Sequence, residues 1–210
     1  MRIDTEKVIE ILQKVCEKVK EKKEQLTEMD SVTGDGDLGL NMCCGFEAVL
    51  QKIKIETREN VGEVLKSAGM EIASHSGGVL GSLYGMAFIE ASKIVDDKHE
   101  IDIYDFQKML DAAVEGVKRA GKCNKGDKTM IDAIEPAAEA LEMSLKEGRA
   151  PLEALKSAVD AAYAGVENTK GFTAKKGRAS YQAEKSIGQL DPGAFLSAVI
   201  LDTIYNELKK

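Results

Sequence analysis

The 210-residue chain has no tryptophan, and it has only 3 prolines, 2 histidines and 4 cysteines. Helices tolerate proline poorly, and Ala, Glu, Lys and Leu form helices readily. The low proline count and the many residues of these four types therefore favour an all-α protein. The cysteines show neither a C-x-x-C spacing nor the pattern of a disulfide framework; they are Cys16, Cys43, Cys44 and Cys123. We expect reduced thiols, which excludes the class of small disulfide-stabilised secreted proteins.

The sequence also lacks long apolar runs and an excess of basic residues. No segment approaches the roughly 20 consecutive apolar residues of a membrane-spanning helix, and the first residues contain no apolar signal segment. The formal net charge of −7 argues against general binding to nucleic acids or to anionic membranes. We therefore expect a cytoplasmic protein whose partners are neither nucleic acids nor membranes.

Hydrophobic residues at helical spacing predict the fold. With 43% hydrophobic and 31% charged residues, the chain suits a single domain over residues 1–210. Val8, Ile11 and Val15 open an amphipathic pattern, and Pro136 falls inside a later one, where it predicts a kink. We expect eight helices and no strand, with helices over about 4–28, 40–54, 61–74, 104–120, 130–146, 151–168 and 192–208, and one more after residues 77–85.

The segment from Asp30 to Asn41 has the composition of a metal-binding loop. It carries Asp30, Asp35 and Asp37 together with three glycines, between two helical stretches. Carboxylates this close repel one another, so a fold that gathers them usually needs a cation. Oxygen ligands without nearby histidine or thiol partners favour Mg²⁺ or Ca²⁺ over zinc or copper.

Two known motifs share part of this spacing and are rejected. Gly34, Gly36 and Gly39 fit the G-x-G-x-x-G dinucleotide fingerprint, but a helix rather than a strand precedes them, and two acids would face the pyrophosphate. An EF-hand counted from Asp35 would lack its central glycine and its closing glutamate. A solvated, acid-capped turn stays open as the alternative to a metal site.

Two further stretches suggest phosphate binding. Gly77 and Gly78 precede a helix, where free backbone N–H groups suit a phosphate, although a tight turn between helices would have the same composition. Residues 121–129 resemble a P-loop, but Asp127 stands in the lysine position and Lys128 comes one place late. In an antiparallel bundle alternate loops lie at one end, so we expect loops 30–39, 77–81, 121–129 and 170–192 to meet there.

Four motifs then resemble those of one family, in order and over essentially the whole chain. They are Asp30…Gly34-Asp-Gly-Asp37…Asn41-Met42, Gly77-Gly78…Gly81-Ser-Leu-Tyr-Gly85, Gly126-Asp-Lys-Thr-Met130-Ile-Asp132…Pro136 and Lys176-Gly-Arg-Ala-Ser-Tyr181…Asp191-Pro-Gly193. The chain resembles the nucleotide-binding L subunits of dihydroxyacetone kinases. The resemblance implies an antiparallel eight-helix barrel that holds ADP or ATP and two Mg²⁺ ions in the loops at one end.

The resemblance also implies an activity. The chain would be a phosphotransferase subunit that passes a phosphoryl group from its nucleotide to dihydroxyacetone, or a similar short ketose, on a separate K subunit. In bacterial members a phosphocarrier protein fed from phosphoenolpyruvate recharges the bound ADP. A subunit that uses exchangeable ATP and a non-catalytic, nucleotide-dependent binding module stay open as alternatives, and so does homodimer formation.

The resemblance implies a role for each residue that matches a site position in these motifs. Asp30, Asp35 and Asp37 match the magnesium ligands, and together with Arg178 they form the implied catalytic group. The implied nucleotide-binding positions are Leu38, Asn41, Gly78, Val79, Leu80, Gly121, Met130, Arg178, Asp191 and Gly193. Met130 is expected to pack against the adenine.

Leu38 and Leu80 depart from the family pattern, which has histidine and serine at these positions. Each leucine replaces a polar group beside the phosphates, and losing a hydrogen bond to a charged group costs roughly 1.5–3 kcal/mol. The two changes suggest an altered partner, an altered substrate or weakened transfer. The three carboxylates are unaffected.

Overall fold

Helices make up nearly all of the architecture in the computed structural model, which describes residues 1–55 and 59–210. The helices are α1 (Thr5–Glu21), α2 (Lys23–Ser31), α3 (Leu38–Ile55), α4 (Val61–His75), α5 (Gly78–Ile94), α6 (Ile103–Gly121), α7 (Ile131–Lys146), α8 (Pro151–Asn168) and α9 (Pro192–Leu208). Short 3₁₀ turns cover Thr169–Gly171 and Arg178–Ser186. The predicted all-α fold is confirmed.

Two details of the prediction are wrong. The first expected helix is divided at Lys22, whose φ of −89° and ψ of 0° interrupt the regular backbone between α1 and α2. Two three-residue strands are also present, β1 (Arg2–Asp4) and β2 (Glu100–Asp102), paired antiparallel with Ile3 opposite Ile101. These two isoleucines are buried between exposed or half-exposed neighbours, and a pattern this short does not stand out in a sequence.

The helices form a closed ring. From α3 onward each packs against the next along the chain, and α9 completes the ring by packing against α1, which in turn contacts α3. The interior is lined by apolar side chains and contains a cavity of about 140 Å³ beside Leu65, Phe88 and Met109. This is the antiparallel helical barrel that the family resemblance implies. None of the helices in the described ranges is long and apolar enough to cross a membrane.

Helices α7 and α8 approach so closely that backbone meets backbone. Pro136 lies inside α7, which is nevertheless continuous from Ile131 to Lys146. Because proline has no N–H, the carbonyl of Asp132 loses its usual helical donor. That carbonyl faces Gly165 on α8, where a Cβ atom would lie only 2.0 Å from the oxygen. Glycine at position 165 is therefore a packing requirement.

We expect Gly165→Ala to destabilise the protein by about 1–3 kcal/mol, because the added methyl group must push two rigid helices apart. Gly171→Ala is the matched control, since a Cβ at Gly171 would meet no atom within 4 Å. Urea unfolding followed by circular dichroism measures both free energies. Equal stability of the two variants would contradict the close approach of α7 and α8.

Candidate functional site

The four loops expected at one end of the barrel do meet there. Arg178 reaches Asp35 in the first loop, with 2.8 Å between guanidinium and carboxylate. A Cβ at Gly77 would lie 2.9 Å from the Asn41 side chain, which places the second loop against the start of α3. Lys128 of the third loop bonds to the backbone of the fourth. Strands β1 and β2 lie at the opposite end, where α1 and α6 begin.

The first loop is wound around Asp30, in the last turn of α2. One carboxylate oxygen of Asp30 accepts hydrogen bonds from the backbone N–H groups of Gly36 at 2.9 Å and of Leu38 at 3.4 Å. The Asp30 carbonyl accepts from the N–H of Gly34 at 2.6 Å. Gly36 has φ +72°, a left-handed conformation that favours glycine, so the chain can turn back over Asp30.

This turn gathers the three carboxylates. Asp30, Asp35 and Asp37 each offer an oxygen, and these atoms lie within 4.8 Å of one another. Asp30 is half-buried while the other two are exposed. Burial raises the pKa of Asp30 above its usual value, and the neighbouring charges of Asp35 and Asp37 raise it further. A cluster of oxygen ligands that disfavours its own ionisation suits a hard divalent cation such as Mg²⁺.

The second loop turns at Gly78, which has φ +74° and begins α5. The first N–H groups of a helix lack intrahelical acceptors and carry the positive end of its dipole, so an anion fits there. Val79 next to it is 68% exposed, and Gly77 and Gly78 are exposed as well, so the beginning of this helix is open to solvent. The predicted nucleotide-binding positions Asn41, Gly78 and Val79 are therefore neighbours.

Leu38 and Leu80 both face the protein. Each is partly buried and packs against the hydrophobic core, and Leu80 Cδ1 would lie 3.1 Å from a Cβ at Gly193. The two leucines thus contribute to packing beneath the loops. Where the family pattern has polar side chains, this chain therefore has apolar side chains that pack beneath the loops.

The predicted positions Gly121, Gly193 and Asp191 make contacts at the ends of helices. Gly121 ends α6 next to Leu83, and Gly193 lies in the first turn of α9, where its carbonyl accepts a hydrogen bond from the Tyr84 hydroxyl at 2.8 Å. The Asp191 carboxylate caps α9 by accepting from the N–H of Ala194 at 2.7 Å.

Met130 is buried among apolar side chains. Its side chain is 1% exposed and lines the internal cavity with Ile134 and Leu201. The expected packing of this side chain against an adenine stays a prediction. Met130 precedes α7, whose first turn directs apolar side chains into the barrel.

Two functional candidates in the third loop received no role from the sequence. The Asp132 carboxylate accepts from the N–H groups of Gly126 at 2.5 Å and Thr129 at 2.8 Å, which fixes the loop on the beginning of α7. Lys128 is 4% exposed and points into the protein. Both residues belong to the Gly126–Asp132 motif. The resemblance of this stretch to a P-loop is the sequence feature that could have pointed to them.

Asp191 should make stability depend on pH. Burial raises its pKa to about 7, so the folded protein binds this proton more tightly than the unfolded chain. The stabilisation is complete below about pH 4 and is lost as the pH rises to about 7. Asp191→Asn keeps a capping oxygen, and we expect it to flatten this part of the stability profile, measured by urea unfolding from pH 4 to pH 8.

Asp4→Asn is the control for this measurement, because Asp4 also caps a helix by accepting from the N–H of Lys7, in an exposed position. We expect Asp4→Asn to leave the slope between pH 4 and pH 7 as it is in the wild type. An Asp191→Asn variant with the wild-type slope would show that this carboxyl titrates normally.

Comparison with known proteins agrees with this geometry. The DAK2 domain family matches residues 32–206. The ADP-binding subunit of PEP-dependent dihydroxyacetone kinase 1 from Listeria innocua is 38% identical over 200 residues, 95% of each chain. The ADP-binding subunit of the PTS-dependent dihydroxyacetone kinase from Lactococcus lactis is 36% identical over 204 residues, 97% of each chain.

The fold comparison gives the same answer. The crystal structure of the dihydroxyacetone kinase of C. freundii superposes with a TM-score of 0.75 and 25% identity. The match covers 95% of this chain and 34% of that kinase, so the present chain corresponds to about a third of it. The fold, the four loops at one end and the extent of the sequence match lead to one conclusion: the chain belongs to the DAK2 domain family.

Proposed function

We propose that this chain is the nucleotide-carrying subunit of a dihydroxyacetone kinase-type phosphotransferase. The observation that carries the proposal is the cluster of Asp30, Asp35 and Asp37 within 4.8 Å at the loop end. Relatives that match over nearly their full length are named ADP-binding subunits. Residues 1–210 would then act as one nucleotide-binding domain, and the four free thiols support a reducing, cytoplasmic location.

The three aspartates would hold two Mg²⁺ ions, and the nucleotide phosphates would supply the negative charge that three carboxylates lack. When bound, Mg²⁺ neutralises phosphate oxygens and stabilises the charge that develops during phosphoryl transfer. Gly36 and Leu38 keep Asp30 oriented through their backbone N–H groups. Oriented ligands matter because phosphoryl transfer depends chiefly on positioning and electrostatics.

The nucleotide phosphates would lie between the first and second loops. There the open beginning of α5 at Gly78 and Val79 offers backbone donors, and Asn41 offers a side-chain amide. Arg178 carries five N–H donors, so it can contact a phosphate as well as Asp35. Gly121, Asp191 and Gly193 would shape the surrounding loops, since their structural contacts join α6 and α9 to this end.

The phosphoryl acceptor would be bound by a second protein. The cavity inside the barrel is lined almost wholly by apolar side chains, so it offers little to the hydroxyl groups of a ketose. We infer a partner that corresponds to the K subunit and holds dihydroxyacetone or a similar short ketose. The PEP-dependent and PTS-dependent relatives favour a phosphocarrier protein as the donor that converts bound ADP to ATP.

One alternative rests on Leu38 and Leu80. Both side chains pack against the core. They stand where the family pattern has polar residues beside the phosphates. A chain that binds Mg-nucleotide but transfers nothing, as a regulatory module, would show the same carboxylates. A subunit that exchanges free ATP is the second alternative, and it predicts an empty site after dialysis.

The resident nucleotide separates these functions. Freshly purified, extensively dialysed protein is denatured in acid, and the released nucleotide is measured by mass spectrometry. We expect stoichiometric ADP, as a bound cofactor requires. Protein that is empty but binds added Mg-ATP reversibly would favour the ATP-using subunit. Bound ADP that no phosphocarrier and no K-type partner can turn over would favour the regulatory module.

Asp35→Asn and Asp37→Asn test the metal ligands. Each removes one negative charge from the cluster, and we expect the affinity for Mg-ADP to fall at least about tenfold in calorimetric titrations. Helix content and thermal unfolding should stay close to wild type, because both side chains are exposed. Asp160→Asn on α8, where the carboxylate forms an exposed ion pair with Lys156, is the control. Unchanged affinity in both site variants would refute the metal assignment.

A further inference from the structure

Lys128 is a charged residue in a place where a lysine is costly. Its side chain is 4% exposed, and its backbone has φ +62° in the loop between α6 and α7. Burial lowers its pKa below the usual value, and Asp191 and Asp132 oppose this shift through their charges. A residue that combines a buried ammonium group with a left-handed backbone points to a specific use.

The use is visible in its two hydrogen bonds. Nζ donates to the carbonyl of Thr169 at 2.5 Å and to the carbonyl of Gln189 at 2.6 Å. These carbonyls flank residues 170–188, which leave the barrel after α8 and return before α9. The N–H of Gly188 donates to the carbonyl of Lys170 at 2.8 Å, directly beside this point. Lys128 therefore joins the two ends of the segment.

The segment carries Arg178 to the acidic loop. An ion pair of 2.8 Å joins Arg178 of this segment to Asp35 of the first loop. Between the base of the segment and Arg178, Lys175 adds a hydrogen bond to the carbonyl of Gly126 and an ion pair with Asp127, both at 3.1 Å. Arg178 is 67% exposed at its side chain, so little packing of its own holds it in place.

We propose that Lys128 is a positioning residue: by closing the base of residues 170–188, it holds Arg178 over the three carboxylates. The inference rests on the proposed function, because it gives Arg178 a phosphate to meet there. It assigns a role to the lysine that follows Asp127 in the P-loop-like stretch. That lysine acts through the backbone of another segment and touches no nucleotide.

A double-mutant cycle between Lys128→Met and Arg178→Gln tests the proposal. We expect each single variant to weaken Mg-ADP binding by about tenfold, which is the scale of one charge-assisted contact. If Lys128 acts through Arg178, adding Lys128→Met to Arg178→Gln causes no further loss. Affinity for Mn²⁺ alone should stay within about twofold of wild type in Lys128→Met, because the aspartates are intact.

The rate of proteolysis within residues 170–188 tests whether Lys128 holds this segment in place, and it needs no ligand. Tyr181 is 90% exposed, and we expect chymotrypsin to cleave after it several times faster in Lys128→Met than in wild type. Lys125→Met is the matched control, because Lys125 lies in the same loop but pairs with Glu139 at the surface. It should leave cleavage and Mg-ADP affinity unchanged.

Additive losses of Mg-ADP affinity in the double variant, or unchanged cleavage in Lys128→Met, would overturn the proposal. Should Lys128→Met fail to fold, Lys128→Gln takes its place in every arm, because its amide is uncharged and ends one bond short of Nζ, too short to bridge the two carbonyls. Wild-type protein that binds no Mg-ADP would refute the proposed function instead, and the cleavage rates would still decide whether Lys128 closes the segment.

Discussion

The mutual repulsion of three carboxylates is the constraint around which the loop end is built. Asp30, Asp35 and Asp37 stay together because backbone N–H groups and the guanidinium of Arg178 offset part of their charge. Burial, together with the charges of Asp35 and Asp37, nevertheless raises the pKa of Asp30. A site of this kind gains free energy when a divalent cation arrives, and the fold supplies the rigid helix ends that keep the ligands in range.

The helical barrel explains how so many loops reach one place. Each antiparallel helix returns the chain to the same end after every second connection, so motifs far apart in sequence become neighbours. Close packing of backbones then fixes the heights of the helices relative to one another. Gly165 against the carbonyl of Asp132 and Gly39 against the carbonyl of Lys23 are two such contacts. Loops attached to helices that cannot slide hold their groups in constant positions.

Sequence reasoning could predict what repeats and what is local. The helical periodicity, the capping by Asp191 and the gathering of aspartates between Asp30 and Asp37 each depend on neighbours in the chain. The sequence pattern did not reveal the division at Lys22, because Val19 and Leu26 on either side of it are both buried and continue the apolar stripe. The burial of Met130 and the bonds of Lys128 depend on where distant segments lie, and periodicity carries no information about that.

The closure of the ring by α9 has a consequence for synthesis on the ribosome. The wall that seals the apolar interior between α1 and α8 is formed by Pro192–Leu208, which are made after all the other helices of the barrel. Until they emerge, Leu65, Phe88 and their neighbours face an open side of the barrel. A nascent chain therefore carries an exposed apolar surface until α9 emerges, and completion of the barrel is a long-range event. Chaperones that bind apolar surface would meet this protein before its partners do.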